Sequence, residues 1–280
     1  MFAFAACAGD EVFEGNDAPV ETVNNDVVST RLRSGYSCIF VFFALDDNAN
    51  GDFPARPLCA FNVVDIELFT LIERTLYTAV VCDSLDQLGY REQAMREWMR
   101  PMHPSYRFAG RARTIAYVDV YHISADPYSG EIAAVDSILP GEVVVASTAG
   151  SVRNAPWGEL MSTAARARGA RGAVIDGLIR DVKKIEELGF PVFARGIKPI
   201  DSQGRGIVLD YNVPVECAGV MVAPGDVIFA DYDGVVAIPA AAVADAVRLA
   251  TEKVSRENSS RKELMDGAYL RDVYNKYGVL

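Results

Sequence analysis

Histidine and tryptophan are scarce in this chain, with two of each in 280 residues. His103 and His122 stand far apart, so neither a two-histidine metal spacing nor a Ser-His-Asp arrangement is available. The five cysteines (Cys7, Cys38, Cys59, Cys82, Cys217) are odd in number, widely spaced and contain no C-x-x-C pair. That pattern excludes a disulfide framework and a zinc ribbon, and it fits a reducing, cytoplasmic setting. Cys82 and Cys217 have apolar neighbours and read as small core residues. Long apolar runs are absent as well. The strongest, Cys38–Leu45, has eight residues, whereas a membrane-spanning helix needs about 20. It reads as a buried strand or an interface segment. The first twelve residues lack the basic region of a signal peptide. Neither a G-x-G-x-x-G loop nor a P-loop lysine occurs.

Positive charge is also in short supply. Lys and Arg total 27 against 38 Asp and Glu, a net charge of −11 with no basic run. Nucleic-acid binding leans on many Lys/Arg–phosphate contacts, so no nucleic-acid partner is expected. The acidity is uneven: residues 1–60 hold three arginines against nine acids. Residues 1–62 are therefore read as an irregular acidic extension, either an arm, a partly disordered segment or a subunit-contact strand. Residues 63–280 are read as the folded body.

The body is legible as alternating elements. Helices are predicted over 65–71 and 78–89, a strand over 110–118, a turn at 136–141 and a strand over 142–147. A helix over 158–169, a strand over 173–176, a helix over 182–189 and a strand over 191–194 come next. This β-α-β-α-β order implies an α/β layer with parallel pairing. Short strands over 206–211, 219–222, 227–230 and 235–238 suggest a small barrel or curled sheet. The tail from Ala240 reads as helical with a break at Gly267.

What could carry chemistry is the junction Ile175-Asp-Gly-Leu-Ile-Arg-Asp181, where a buried strand runs into a helix headed by an Arg-Asp pair. The carboxyl ends of parallel strands face the crevice where α/β proteins bind ligands. On spacing alone, Asp181 as a helix cap and Arg180 as half of an ion pair is an equally good reading. Asp231-Tyr-Asp-Gly234 reads as a hairpin turn rather than a metal cluster. Arg205, between Gly204 and Gly206, suits an anion or an inter-subunit contact.

The stretch from Trp157 to Gly196 resembles the RraA-like family, which includes metal-dependent 4-hydroxy-4-methyl-2-oxoglutarate / 4-carboxy-4-hydroxy-2-oxoadipate aldolases. The resemblance continues through Pro199–Gly206, Asn212–Val215 and Pro224–Pro239, and covers about 200 residues from Thr78 onward. Catalytic members carry an acid, twenty intervening residues and Arg-Asp. Here Glu159 precedes residues 160–179 and then Arg180-Asp181. Those enzymes often have Asp at the position of Glu159, and some carry an acid at the position of Lys184.

The resemblance implies an α/β sandwich with a central barrel-like sheet, an N-terminal extension and a C-terminal helical tail. It implies Mg²⁺ or Mn²⁺ held by Asp181 directly and by Glu159 through water. Arg180 would stabilise charge on the oxygen of a 2-oxo acid, and the backbone N–H groups of Gly158, Glu159, Leu160 and Met161 would hold its carboxylate. Glu257 is the candidate for a glutamate supplied by a neighbouring subunit, which implies a homotrimer or homohexamer with sites at subunit interfaces. The activity implied is a lyase releasing pyruvate, with oxaloacetate decarboxylation on the side. Its rivals are a non-catalytic regulator binding a ribonuclease or helicase, and a lyase for another sugar-derived keto acid.

Overall fold

The computed structural model describes residues 63–279, with side chains from Asp65, and three earlier strands. Those strands, β1 (Glu21–Thr22), β2 (Val27–Arg31) and β3 (Ser37–Val41), form an antiparallel sheet in the order β1-β2-β3. The region read as irregular thus contains a meander, and the first part of the Cys38–Leu45 run lies in β3; residues 42–45, like Cys7 and Cys59, fall outside the described residues. The chain divides into two units, Met1–Val64 and Asp65–Leu280. The second unit holds every candidate site residue.

Its elements begin with helices α1 (Val63–Thr75) and α2 (Thr78–Gln87) and strands β4 (Arg100–Pro101) and β5 (Phe108–Asp119). Next come α3 (Ser129–Asp136), β6 (Glu142–Ser147), α4 (Glu159–Ala167), β7 (Gly172–Ile179), α5 (Val182–Leu188) and β8 (Val192–Ile197). The remainder is β9 (Gly206–Tyr211), β10 (Val215–Cys217), β11 (Val220–Val222), β12 (Val227–Asp231), β13 (Gly234–Ile238), α6 (Val243–Met265) and α7 (Leu270–Tyr277). Of these, α3, β4 and β10 are additional to the elements predicted from sequence.

Strands β5, β6, β7 and β8 pair in parallel, as the alternation of strands and helices predicts. The sheet runs β13-β12-β5-β6-β7-β8-β4, and β9 pairs antiparallel with the far half of the long β5. Closure comes from residues 93–101. Ala94 bridges Val236 of β13, Met95 N–H donates to Val235 O at 2.9 Å, and a few residues on β4 pairs with β8. One segment therefore joins both ends of the sheet into a nearly closed barrel.

Both faces of β6, β7 and β12 are buried, which explains their near-continuous apolar runs. Val143 and Val145 of β6, Val174 of β7, and Ile228 and Ala230 of β12 point into the barrel with Met95, Met99, Phe108 and Phe193. The intervening residues, Val144 and Ala146, Ala173 and Ile175, face outward under α3, α4 and α5. A third cluster joins Phe69 and Ile72 of α1, Leu76 just after it, Val81 and Leu85 of α2 and Val243, Ala246, Val247 and Ala250 of α6 to β12 and β13. The spacing on α6 is the i, i+3, i+4, i+7 stripe of a one-faced helix. Each fully buried Val or Ile contributes about 1.5–3 kcal/mol relative to exposure. Cys217 is buried as expected, whereas Cys82 is partly exposed. Among the described residues, no helix is long and apolar enough to cross a membrane.

Asp231 and Gly234 close the β12–β13 hairpin. The Asp231 carboxylate accepts from Thr78 N–H at 2.9 Å, Thr78 Oγ1 at 2.7 Å and Asp233 N–H at 3.0 Å, so it caps α2 and the turn. Arg205 bonds the carbonyls of Asp201 and Gln203 within its own loop.

Candidate active site

The site is built where β7 leaves the barrel. The β7–β8 register slips between Ile175 and Leu178, because Asp176 and Gly177 face a single residue of β8. This bulge bends the strand and re-aims the residues after it. Gly177 is required there, since a Cβ would lie 2.5 Å from Thr148 Cγ2. Beyond the bulge, Ile179 bridges Trp157 and Arg180 N–H donates to Trp157 O at 2.9 Å. The Trp157 indole is fully buried; its Nε1–H donates to Ser162 Oγ at 2.9 Å, and that hydroxyl donates to Gly158 O at 3.0 Å. The start of α4 is thereby locked beside the end of β7.

Asp181 occupies the residue before α5 but does not cap it. Its backbone is left-handed (φ 59°, ψ 29°) and its side chain makes no capping hydrogen bond. This corrects the capping alternative. A non-glycine residue in that region costs about 1–3 kcal/mol, less for Asp than for most, and such strain gathers at functional sites. The conformation turns the carboxylate toward α4, where Oδ2 lies 3.4 Å from Glu159 N–H and 3.9 Å from Arg180 Nε. Gly158 makes the approach possible, because a Cβ there would sit 2.7 Å from Asp181 Oδ2 and 3.3 Å from Arg180 Nε.

Arg180 uses few of its donors. Nη2 lies 3.0 Å from Asp201 Oδ1, and Nε is buried without a hydrogen-bond partner. Asp201 also accepts from Tyr128 Oη, and burial opposed by that bond and by Arg180 leaves its carboxyl below the usual range. Beside them lies Glu131 of α3, buried, with Oε1 unpartnered. Burial pushes its carboxyl up to about 7, against the opposing effect of a Ser202 hydrogen bond.

Structure thus brings Gly158, Glu159, Arg180 and Asp181 together, with Leu160 and Met161 in the first turn of α4. Leu160 is exposed, Glu159 accepts from Thr163 Oγ1 at 2.8 Å, and the Leu160 and Met161 N–H groups are among those an α-helix leaves without intrahelical acceptors. Lys184 pairs along α5 with Glu187. Glu257 lies elsewhere in the protomer, on α6, which packs on α2 and α7. Its carboxylate is 4.0 Å from Lys253, whose ammonium is closer to Asp83 at 2.5 Å, and burial raises its pKa. Sequence reasoning missed Asp201, Tyr128 and Glu131. Only Asp201 lies in one of the named motif stretches, Pro199–Gly206.

The donor set bears on a metal. Among the described residues, no group of three or more His, Cys, Asp or Glu could enclose an ion. Asp181 nevertheless presents a half-exposed carboxylate that does not cap α5 and takes a single 3.4 Å bond from Glu159 N–H. One carboxylate with open surroundings fits Mg²⁺ or Mn²⁺ retaining most of their waters, not zinc or calcium. A shallow depression of about 280 Å³, lined by Tyr106, Arg107, Tyr232 and Asp233 among others, lies apart from this cluster. Its lining lacks the converging, strained groups seen around Asp181, so chemistry rather than concavity locates the site.

A barrel-like α/β body with an Arg-Asp pair after a bulged strand, set against a glycine-led helix, defines a class of fold and site. The chain belongs to the RraA-like family (Aldolase/RraA), which matches residues 78–237. It is 30% identical over 193 residues to a Halalkalibacterium halodurans protein provisionally named as a 4-hydroxy-4-methyl-2-oxoglutarate aldolase, covering 69% of this chain and 87% of that one. It is 38% identical over 149 residues to protein MJ0644 of Methanocaldococcus jannaschii, covering 52% and 71%. Among solved structures it resembles Streptomyces coelicolor RraAS2, described as an unusual member of the RNase ES inhibitor RraA family. That match has a TM-score of 0.64 and 30% identity, over 70% of this chain and 96% of that one. A Pseudomonas syringae protein matches with a TM-score of 0.68 and 27% identity over 76% and 94%.

Proposed function

We propose that this chain is a divalent-metal-dependent lyase that cleaves a 4-hydroxy-2-oxo acid, such as 4-hydroxy-4-methyl-2-oxoglutarate, to pyruvate and a second carbonyl compound. The observation that carries the reading is the Asp181 carboxylate, held on a left-handed backbone, not used to cap α5 and set beside Arg180 and the start of α4. The provisional name of the Halalkalibacterium relative supports the same reaction.

Asp181 would hold Mg²⁺ or Mn²⁺ directly and Glu159 through water; the ion, when bound, supplies Lewis-acid polarisation of the 2-oxo group. The N–H groups of Leu160 and Met161, at the positive end of α4, bind the substrate carboxylate. Arg180, whose guanidinium side chain is partly exposed, answers the charge that builds on the 2-oxo oxygen as the C3–C4 bond breaks. The C4 hydroxyl loses its proton as that bond breaks, and the resulting pyruvate enolate takes a proton at C3. Glu257, supplied by a neighbouring copy in a trimer or hexamer, is the base we assign to the hydroxyl proton; its partial burial suits that task. Oxaloacetate decarboxylation passes through the same enolate, with carbon dioxide as the leaving group.

The test is pyruvate release from 4-hydroxy-2-oxo acids and oxaloacetate, with and without Mg²⁺ or Mn²⁺, against Asp181→Ala. Turnover that needs the metal and is lost in the variant is expected. Activity surviving both changes would sink the mechanism. No turnover on any 2-oxo acid, with tight ribonuclease binding, would favour the regulator suggested by the description of RraAS2.

A further inference from the structure

Arg180 is held at one end only. A guanidinium offers five N–H donors in a planar fork. Here Nη2 meets Asp201 Oδ1 at 3.0 Å, while Nε is buried, unpartnered and 3.9 Å from the nearest oxygen of Asp181. A free arginine side chain would rotate to satisfy that donor, because a buried unpaired charged donor is costly. Asp201 prevents the rotation, and Asp201 is itself immobilised. Its Oδ2 accepts from Tyr128 Oη and lies 3.4 Å from Gln203 N–H, so both carboxylate oxygens are engaged. The loop behind it is pinned by fully buried Ser202, whose carbonyl accepts from Arg205 N–H at 2.7 Å and Gly206 N–H at 2.9 Å. Glu131 closes the cluster from α3, buried and with one oxygen unpartnered.

We propose that Asp201, held by Tyr128, is the positioning residue that fixes the Arg180 guanidinium in the orientation that meets the reacting oxygen. The proposal rests on the reading that Arg180 stabilises charge during cleavage. Asp201 touches Arg180, so in this proposal it acts through orientation. Preorganised donors are worth more than mobile ones, because no reorganisation is needed as charge develops.

The experiment uses the full chain and the variants Asp201→Asn and Tyr128→Phe, with two readouts. The first is the side-chain Nε–H signal of Arg180 in a proton–nitrogen NMR spectrum, assigned by its loss in Arg180→Lys. In the parent protein it is expected to be resolved and slow to exchange with solvent. In Asp201→Asn it is expected to move toward the position of free arginine and exchange at least about tenfold faster, with Tyr128→Phe intermediate. The second is pyruvate release, where kcat should fall by about 10- to 100-fold in Asp201→Asn and about fivefold in Tyr128→Phe, with KM nearly constant. An unmoved Arg180 signal in the folded variants overturns the proposal. So does a moved signal with kcat at the parent value, or an effect confined to KM. If Asp201→Asn does not fold, Tyr128→Phe decides by the same criteria. Should the parent protein release no pyruvate from any 2-oxo acid, the lyase reading fails, and the NMR arm alone still decides whether Asp201 orients Arg180.

Discussion

Two arginine–carboxylate arrangements sit in one sheet and are built to opposite ends. Arg113 of β5 meets Glu142 of β6 bidentately, with Nε to Oε2 and Nη2 to Oε1 both at 2.9 Å. Glu142 Oε2 also accepts from Leu139 N–H at 2.7 Å, and both side chains are largely shielded from water. Arg180 has one close ion-pair contact, an unpaired Nε and two carboxylates that do not close around it. The first arrangement spends its donors on the fold. The second keeps donors in reserve, and the geometry that keeps them costs local stability: a left-handed Asp181, a glycine at 158 and a buried, unpaired Glu131 oxygen. The satisfied pair serves the architecture, and the incomplete one leaves donors for the chemistry we propose.

The sharpest way to break this contrast is Asp181→Gly. Turnover should fall by about a thousandfold, while calorimetry shows stability unchanged or raised by up to about 1 kcal/mol as the left-handed strain is relieved. Loss of stability together with activity would mean that Asp181 is structural after all. Arg113→Ala should do the reverse, costing about 3 kcal/mol in denaturant unfolding because Glu142 is left without its partner. The fraction that folds should keep kcat within about twofold. Gly158→Ala crowds Asp181 and Arg180 together, so roughly a tenfold loss of kcat with a stability cost of about 1–2 kcal/mol is expected.

Glu131 gives a pH signature of its own. Its folded pKa of about 7 lies above the ordinary carboxylate value of 4.5, so the native state binds more protons than the unfolded state between those limits. Stability from this group is fully present at low pH and declines as pH rises from 4.5 to about 7. The decline is at most roughly 3 kcal/mol, and Glu131→Gln should flatten it in unfolding curves taken across that range. A pH profile identical in the variant would show that Glu131 is not the group responsible. The smallest effect belongs to the exposed pair Lys183–Glu186, where Lys183→Ala should change stability by less than about 0.5 kcal/mol and leave turnover alone.

Much of the barrel was legible because its strands bury both faces. The bounds of β6 can be read directly from Glu142-Val-Val-Val-Ala-Ser147. What escaped were elements without a pattern of their own. Strand β4 has two residues, and α3 reads as Ser-Gly-Glu-Ile-Ala-Ala-Val-Asp with no one-sided stripe. The Arg180-Asp181 pair was visible as a motif at a strand end, but its meaning depended on a backbone dihedral, since an Asp before a helix ordinarily reads as a cap. Asp201 and Tyr128 are 73 residues apart and converge only through the pairing of distant segments. Nothing in the letters marks Glu131 as buried, because a glutamate in a helix is ordinarily solvated.

The segment that seals the barrel also sets an order of events. Residues 93–101 emerge from the ribosome ahead of both partners, β8 and β13, and the second of these ends at Ile238. Until then Met95 and Met99 lack the interior they fill, and the last-made strand must meet one of the first. Such long-range closure is slow and leaves apolar surface and open strand edges exposed in the meantime. Assembly of this protein is therefore gated by its own C-terminal half, and a chain stopped before β13 would carry an unsealed sheet rather than a smaller version of the same body.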